Sequence, residues 1–323
     1  MSRLALYQAL FVIIIIYIAT PSVAQQRYQD SVSTVEVTTL TYATKPNDTL
    51  QLDLYTPLQS AESTRPLLLY VHGGGFSGGS RSSPGIDRFC RTMAAKGYAV
   101  ATMSYTLVMR GQSFGCDQPA PNKIETFRLT GQDIARATRF LIDRSDLAID
   151  PARVVLLGSS AGAEAILHAA YWPATRIANE EALLPPDFRY AGVVSMAGAL
   201  VSLDWITVDS AIPTQLFHGT CDELVPYGFA PHHYCAVDQP GYMPLYGAQA
   251  IADQLQTLGK PYYLYTVCRG GHEWAGKPLT ENVAEITDFL YHDVLQQEQR
   301  QIHLIKSSSQ DACPQYPQFP YCR

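Results

Sequence analysis

The sequence is poor in charge and carries no block of either sign. Asp, Glu, Lys and Arg make up 16% of its 323 residues, and the net charge is −6. A chain that grips phosphate backbones needs a basic face. This balance argues against nucleic-acid binding and suits a soluble enzyme. Long apolar runs are also missing. The run Leu10–Ala19 falls short of the roughly 18–20 residues a spanning helix needs. No Cys–His spacing matches a zinc site, so neither metal nor cofactor is expected. No internal repeat is visible.

What is present begins with a targeting segment. Arg3 supplies a positive start, Leu10–Ala19 an apolar core, and Pro21, Ser22 and Ala24 a small-residue cleavage site. Residues 1–24 therefore read as a signal peptide cut between Ala24 and Gln25, giving a secreted or periplasmic protein without stable membrane insertion. No Cys follows the cut, which argues against a lipid anchor. Seven cysteines lie in the mature part. An exported chain with that many is expected to form disulfides. Cys313 and Cys322 stand out as a candidate pair closing a small loop in the tail. Cys221, Cys235 and Cys268 fall near the expected site. The odd number leaves one thiol over. Asn47-Asp48-Thr49 is a glycosylation sequon.

The hydrophobic share, 47%, is ample for one large core. Residues Val35–Tyr42 and Leu50–Tyr55 alternate around a turn and predict an antiparallel hairpin. Further strands are expected at Leu67–Val71, Tyr98–Met103, Arg153–Leu157, Ala191–Met196, Gln215–His218 and Tyr262–Val267. Helices are expected at Pro84–Lys96, Ile124–Ile142, Ala161–Tyr171, Gly247–Leu258 and Val283–Leu295. This alternation implies an α/β fold with a mostly parallel, doubly wound sheet. The short stretch between Met196 and Gln215 leaves no room for a large helical lid. Residues 25–297 form the expected catalytic domain, and 298–323 a tail packed on it.

The pattern G-x-S-x-G occurs three times, centred on Ser77, Ser113 and Ser160. An activated serine needs a sharp turn between a buried strand and a helix. Only Ser160 has both, with Val154–Leu157 before it and an alanine-rich helical stretch after it. Ser77 and Ser113 are followed by loops rich in glycine, serine and proline.

Four segments now resemble a known family. Leu67–Phe76, containing His72-Gly73-Gly74-Gly75, resembles the strand and donor loop of the HGGG-type carboxylesterases and lipases of the α/β-hydrolase superfamily. Gly158–Gly162 resembles their nucleophile elbow, His218–Pro226 their acid loop, and Gly271-His272 their histidine turn. The likeness runs from about Thr49 to about Leu295. Departures at Ser159, Ala163 and Thr106, where many relatives carry an acidic residue, glycine and arginine, leave the subfamily and the substrate open.

The resemblance implies a serine carboxylesterase working through an acyl-enzyme. Ser160 would be the nucleophile, His272 the general base and Asp222 its partner. The N–H groups of Gly74, Gly75 and Ala161 would form the oxyanion hole. The expected substrate is a small-molecule or carbohydrate-linked ester. A serine peptidase on the same fold is one alternative, though the accessory domain such enzymes carry is missing. A non-catalytic hydrolase-like binding protein is another, though all three triad residues are retained. His72 and His218 are expected to be structural. His168, His292 and His303 are expected on helices or the tail, and His232 and His233 on an aromatic loop that lines the pocket.

Overall fold

The computed structural model describes residues 26–46, 48–58, 63–178 and 183–322. The expected signal peptide and Asn47 of the sequon lie outside these residues. The chain begins with an antiparallel hairpin, β1 (Val35–Lys45) and β2 (Asp48–Pro57). Then come β3 (Arg65–Val71), α1 (Pro84–Ala95), β4 (Ala99–Met103), α2 (Ala120–Ile142), β5 (Ile149–Ser159), α3 (Ala161–Tyr171), α4 (Ala174–Ile177) and β6 (Gly192–Met196). The second half holds β7 (Thr214–Gly219), β8 (Phe229–Pro231), β9 (Pro244–Tyr246), α5 (Ala248–Thr257), β10 (Tyr262–Cys268), α6 (Pro278–Glu281), α7 (Val283–Phe289) and β11 (Gln301–Ser307).

Nine strands form one sheet in the order β1-β2-β4-β3-β5-β6-β7-β10-β11. The pairs from β4 to β11 are parallel, while β1–β2 and β2–β4 are antiparallel. The central strands read as unbroken apolar runs because both faces are covered. Leu67, Leu69 and Val71 of β3 point into one core with Phe127 and Ile134 of α2 and Ile166 of α3. Leu68 and Tyr70 point the other way, to Ile86 and Phe89 of α1 and Phe289 of α7. The period of two along the strand thus sorts side chains between two helical layers.

β3 has β4 on one side and β5 on the other, so the winding reverses between β3 and β5. In such sheets the carboxyl ends of the strands at this reversal form the binding crevice. The loops after β3, β5, β7 and β10 meet there.

The tail departs from the expectation. Residues 301–307 do not merely pack on the domain but form β11, the ninth strand, parallel to β10. Only Ile302 and Leu304 of this edge strand reach the core, and their neighbours are exposed. So short an apolar alternation is a weak strand signal. The disulfides also differ. Cys313 and Cys322 do not pair with each other: Cys313 joins Cys221 and Cys322 joins Cys268. Cys116 joins Cys235, and the left-over thiol is Cys90, buried under the sheet. Nearness along the chain misled here, because the tail folds back across the ends of β7 and β10. Among the described residues no helix is long and apolar enough to cross a membrane.

Candidate functional site

β5 runs straight into a tight turn and then α3. Ser160 sits at the apex with φ 52° and ψ −124°, a conformation that costs a non-glycine residue on the order of 1–3 kcal/mol. The flanking glycines make the turn feasible. A Cβ on Gly158 would lie 2.5 Å from the Gly162 carbonyl, and one on Gly162 only 2.2 Å from that of Val71. The turn is pinned by the Ser160 N–H, which donates to Met196 at the end of β6 (2.9 Å). Ser160 is also the N-cap of α3, so its hydroxyl stands at the positive end of the helix.

The structure brings the three residues singled out from the sequence into one hydrogen-bonded chain. Ser160 Oγ lies 2.8 Å from His272 Nε2. His272 Nδ1 lies 2.8 and 3.0 Å from the two carboxylate oxygens of Asp222. The geometry fixes the tautomer: a carboxylate only accepts, so Nδ1 carries the proton and Nε2 is free to accept one.

Asp222 is fully buried. Its Oδ1 also accepts from the N–H groups of Leu224 and Val225, both at 2.9 Å. His218 Nε2 approaches Oδ2 at 3.2 Å. Burial alone would raise this carboxyl's pKa. The hydrogen bonds from His218 and His272 outweigh it and hold the group well below the usual carboxylate range. For His272 burial disfavours the imidazolium, but the bond to Asp222 and the charges of Asp222, Glu223 and Glu273 overcome this and raise its pKa.

On the other side of Ser160 lies the His72–Gly75 loop. Gly74 and Gly75 have φ +120° and +58°, which glycine alone adopts without cost. A Cβ on Gly74 would meet the Gly78 carbonyl at 2.4 Å. His72 braces the loop: its Nδ1 donates to the Gly73 carbonyl (2.7 Å) and its ring stacks on Tyr105, whose hydroxyl donates to the His72 carbonyl (2.9 Å). Ala161 is the first residue of α3, so its N–H has no acceptor one turn back. Among the described residues the N–H groups of Gly74, Gly75 and Ala161 donate to no protein acceptor.

The other candidates fall elsewhere. Ser77 Oγ donates to the Gly74 carbonyl and Ser113 Oγ accepts from the Gly115 N–H. Neither hydroxyl hydrogen-bonds a histidine. His292 contacts Glu298, and His303, on β11, contacts Thr266. His168 is buried against Phe127, with Nδ1 donating to the Glu164 carbonyl. Of the pair expected on the aromatic loop, His232 is buried and only His233 is partly open.

Sequence reasoning missed a second set of buried polar groups. Lys123 on α2 and Glu164 on α3 are buried with His232. Lys123 Nζ lies 3.2 Å from His232 Nδ1, and His232 Nε2 lies 3.5 Å from Glu164 Oε1. Each looks like an ordinary polar position of an amphipathic helix or loop, and no local signal marks them. His218, read as structural, contacts Asp222 directly. Its position four residues before the acid was the available clue.

Comparison with known proteins agrees with the architecture. Residues 52–200 match the BD-FAE family model. The chain is 32% identical over 124 residues to the fumonisin B1 esterase of Sphingopyxis macrogoltabida, covering 37% of this chain and 22% of that one. It is 29% identical over 146 residues to gut esterase 1 of Caenorhabditis briggsae, covering 45% of this chain and 25% of that one. The matched segments thus span about a quarter of the length of these curated relatives. Among solved structures, the native form of esterase Est2 from Thermogutta terrifontis superposes with a TM-score of 0.57 at 19% identity, covering 84% of this chain and 95% of that one. Its propionate-bound form gives 0.56 at 17% identity, covering 83% and 95%. Residues 52–200 carry the likeness to the BD-FAE family, and the chain as a whole shares the fold of these solved esterases.

Proposed function

We propose that the protein is a serine carboxylic ester hydrolase acting on small-molecule esters through an acyl-enzyme. The observation that carries this reading is the chain from Ser160 Oγ through His272 to Asp222, at 2.8 Å for each link, beside a loop with free N–H donors. His272 Nε2 takes the Ser160 proton as Oγ attacks the ester carbonyl carbon. The carbonyl oxygen becomes an oxyanion held by the N–H groups of Gly74, Gly75 and Ala161. Such donors act before any reorganisation is needed, and each is worth about 2.7–4 kcal/mol. The carbon–oxygen bond to the alcohol then breaks, and His272 returns its proton to the leaving alkoxide. Water repeats the sequence on the acyl-serine, releasing the acid and restoring Ser160. Asp222 keeps the Nδ1–H tautomer in place and stabilises the transient imidazolium.

Three disulfides support an oxidising compartment, in keeping with an exported protein. Esterase relatives and the triad geometry support the reaction class. The test is hydrolysis of a short-chain aryl ester by wild type and Ser160→Ala. The expected result is a loss of about 10⁴- to 10⁶-fold in kcat. Hydrolysis that survives the substitution overturns the assignment.

A further inference from the structure

The buried groups beside the site form a circuit that closes on the triad from two directions. Lys123 is wholly buried, with Nζ 3.2 Å from the Gly241 carbonyl as well as from His232 Nδ1. An ammonium only donates, so His232 Nδ1 accepts and the ring proton is on Nε2, which approaches Glu164 Oε1 to 3.5 Å without a hydrogen bond. Glu164 sits one turn along α3 from the nucleophile, and its N–H donates to the Ser160 carbonyl at 3.0 Å. Its Oε1 is buried without a hydrogen-bond partner.

In the other direction His232 leads to the acid. His232 N–H donates to Met243 and the next N–H, that of His233, donates to the Leu224 carbonyl, both at 2.8 Å. Leu224 N–H in turn holds Asp222 Oδ1. His233 and Tyr234 both have positive φ, 54° and 51°, at about 1–3 kcal/mol each. The strain persists because the segment is fixed on both flanks. Lys123 and the Met243 carbonyl hold His232, and the disulfide to Cys116 holds Cys235. Strain that is over-determined by its surroundings is a mark of a functional segment.

We infer that Lys123, His232 and Glu164 are positioning residues that set the acid loop and the nucleophile turn in register with each other. Burying an ammonium, an imidazole and a carboxyl together costs more than apolar side chains of similar shape would. Here the cost maintains contact with both halves of a triad whose members come from different strands. The inference rests on the triad reading above. The titratable groups around the circuit are Asp117 near Lys123, His233, Asp222 and His272 near His232, and Tyr105 and Asp222 near Glu164. Burial keeps His232 neutral and lowers Lys123 to about 8, so Lys123 is an ammonium and the donor order just described holds below that pH.

The experiment is timed labelling with an aryl phosphonate from pH 5 to 9, using wild type, Lys123→Met, His232→Gln and His232→Ala. Both the rate and the final stoichiometry are read. A displacement of reacting groups by about 1 Å is worth up to 10²-fold. The expected result is full labelling of Lys123→Met at a rate about ten- to a hundredfold lower, with a shifted acid limb in its pH profile. His232→Gln, which retains an N–H able to reach Glu164, should recover part of the rate lost in His232→Ala. Wild-type rates and pH profile in both Lys123→Met and His232→Gln overturn the inference. So does substoichiometric labelling in both, which would make the cluster a scaffold of the fold. Failure of wild type to be labelled at Ser160 instead overturns the triad reading, so the two failures are distinguishable.

Discussion

Asp222, linked to Ser160 through His272, and Glu164, one turn along α3 from Ser160, are buried alike, yet their environments push them apart. Asp222 accepts two backbone N–H bonds and contacts two imidazoles, and its pKa is depressed. Glu164 has one oxygen with no hydrogen-bond partner, and burial raises its pKa well above the carboxylate range despite Lys123. Burial disfavours both charges equally well. The difference is made by donors, so an accessibility value says little about whether a buried carboxyl is ionised. The proposed triad needs an ionised acid against Nδ1, and the N–H donors of Leu224 and Val225 favour that state.

The largest effect expected from breaking this contrast is at Asp222. Asp222→Asn keeps the shape but lets an amide face Nδ1 and favours the wrong tautomer. A fall of about 10⁴-fold in kcat is expected, measured with an aryl acetate. A fall of less than tenfold would mean that the carboxylate does not orient His272.

A smaller effect is expected from the tail. Cys221 directly precedes Asp222 and is tied to Cys313, and Cys268, four residues before His272, is tied to Cys322. No comparable tie reaches Glu164. Cys313→Ser should cost about 2–4 kcal/mol of stability, seen as a lower urea midpoint. An unchanged midpoint would show that the tail contributes nothing to the loop bearing the acid.

The smallest effect, and the sharpest for the comparison, is Glu164→Gln. A carboxyl whose folded pKa is raised binds a proton that the unfolded chain has released. Its contribution to stability is therefore fully present below the unfolded pKa and declines as pH rises toward the folded one. Asp222 behaves oppositely: its contribution is present above the unfolded pKa and lost as pH falls through the folded value. The stability of wild type relative to Glu164→Gln should therefore fall as pH is raised from 4.5, by up to about 1.4 kcal/mol per pH unit while the folded carboxyl keeps its proton. Urea titrations across pH read this directly. A difference that grows in wild type's favour with pH would mean that Glu164 is ionised.

Much of the fold was legible because its signals are local. Leu67–Val71 and Val154–Leu157 read as buried strands, and the helices around the sheet showed their apolar spacing. β11 was not legible: two apolar residues on an edge strand carry too little periodicity, and its pairing with β10 is a matter of return path. The tail cysteines misled for the same reason. At the candidate site, Ser160, His272, Asp222 and the Gly74–Gly75 loop could be named because each lies in a short pattern at a strand end. Lys123, Glu164 and His232 could not, since nothing in their neighbours distinguishes a buried polar residue from a solvated one.

The sequence by itself determined the central strands and the main helices around them, where the strained serine turn can form, and in what order the Gly-rich loop, Ser160, Asp222 and His272 emerge. These follow from backbone sterics and side-chain periodicity over a few residues. Only the tertiary structure decided which cysteines meet, that residues 301–307 complete the sheet, and that the two buried carboxyls of Asp222 and Glu164 hold opposite protonation tendencies. Those outcomes depend on which donors arrive from distant segments, and that is set by packing rather than by any local pattern.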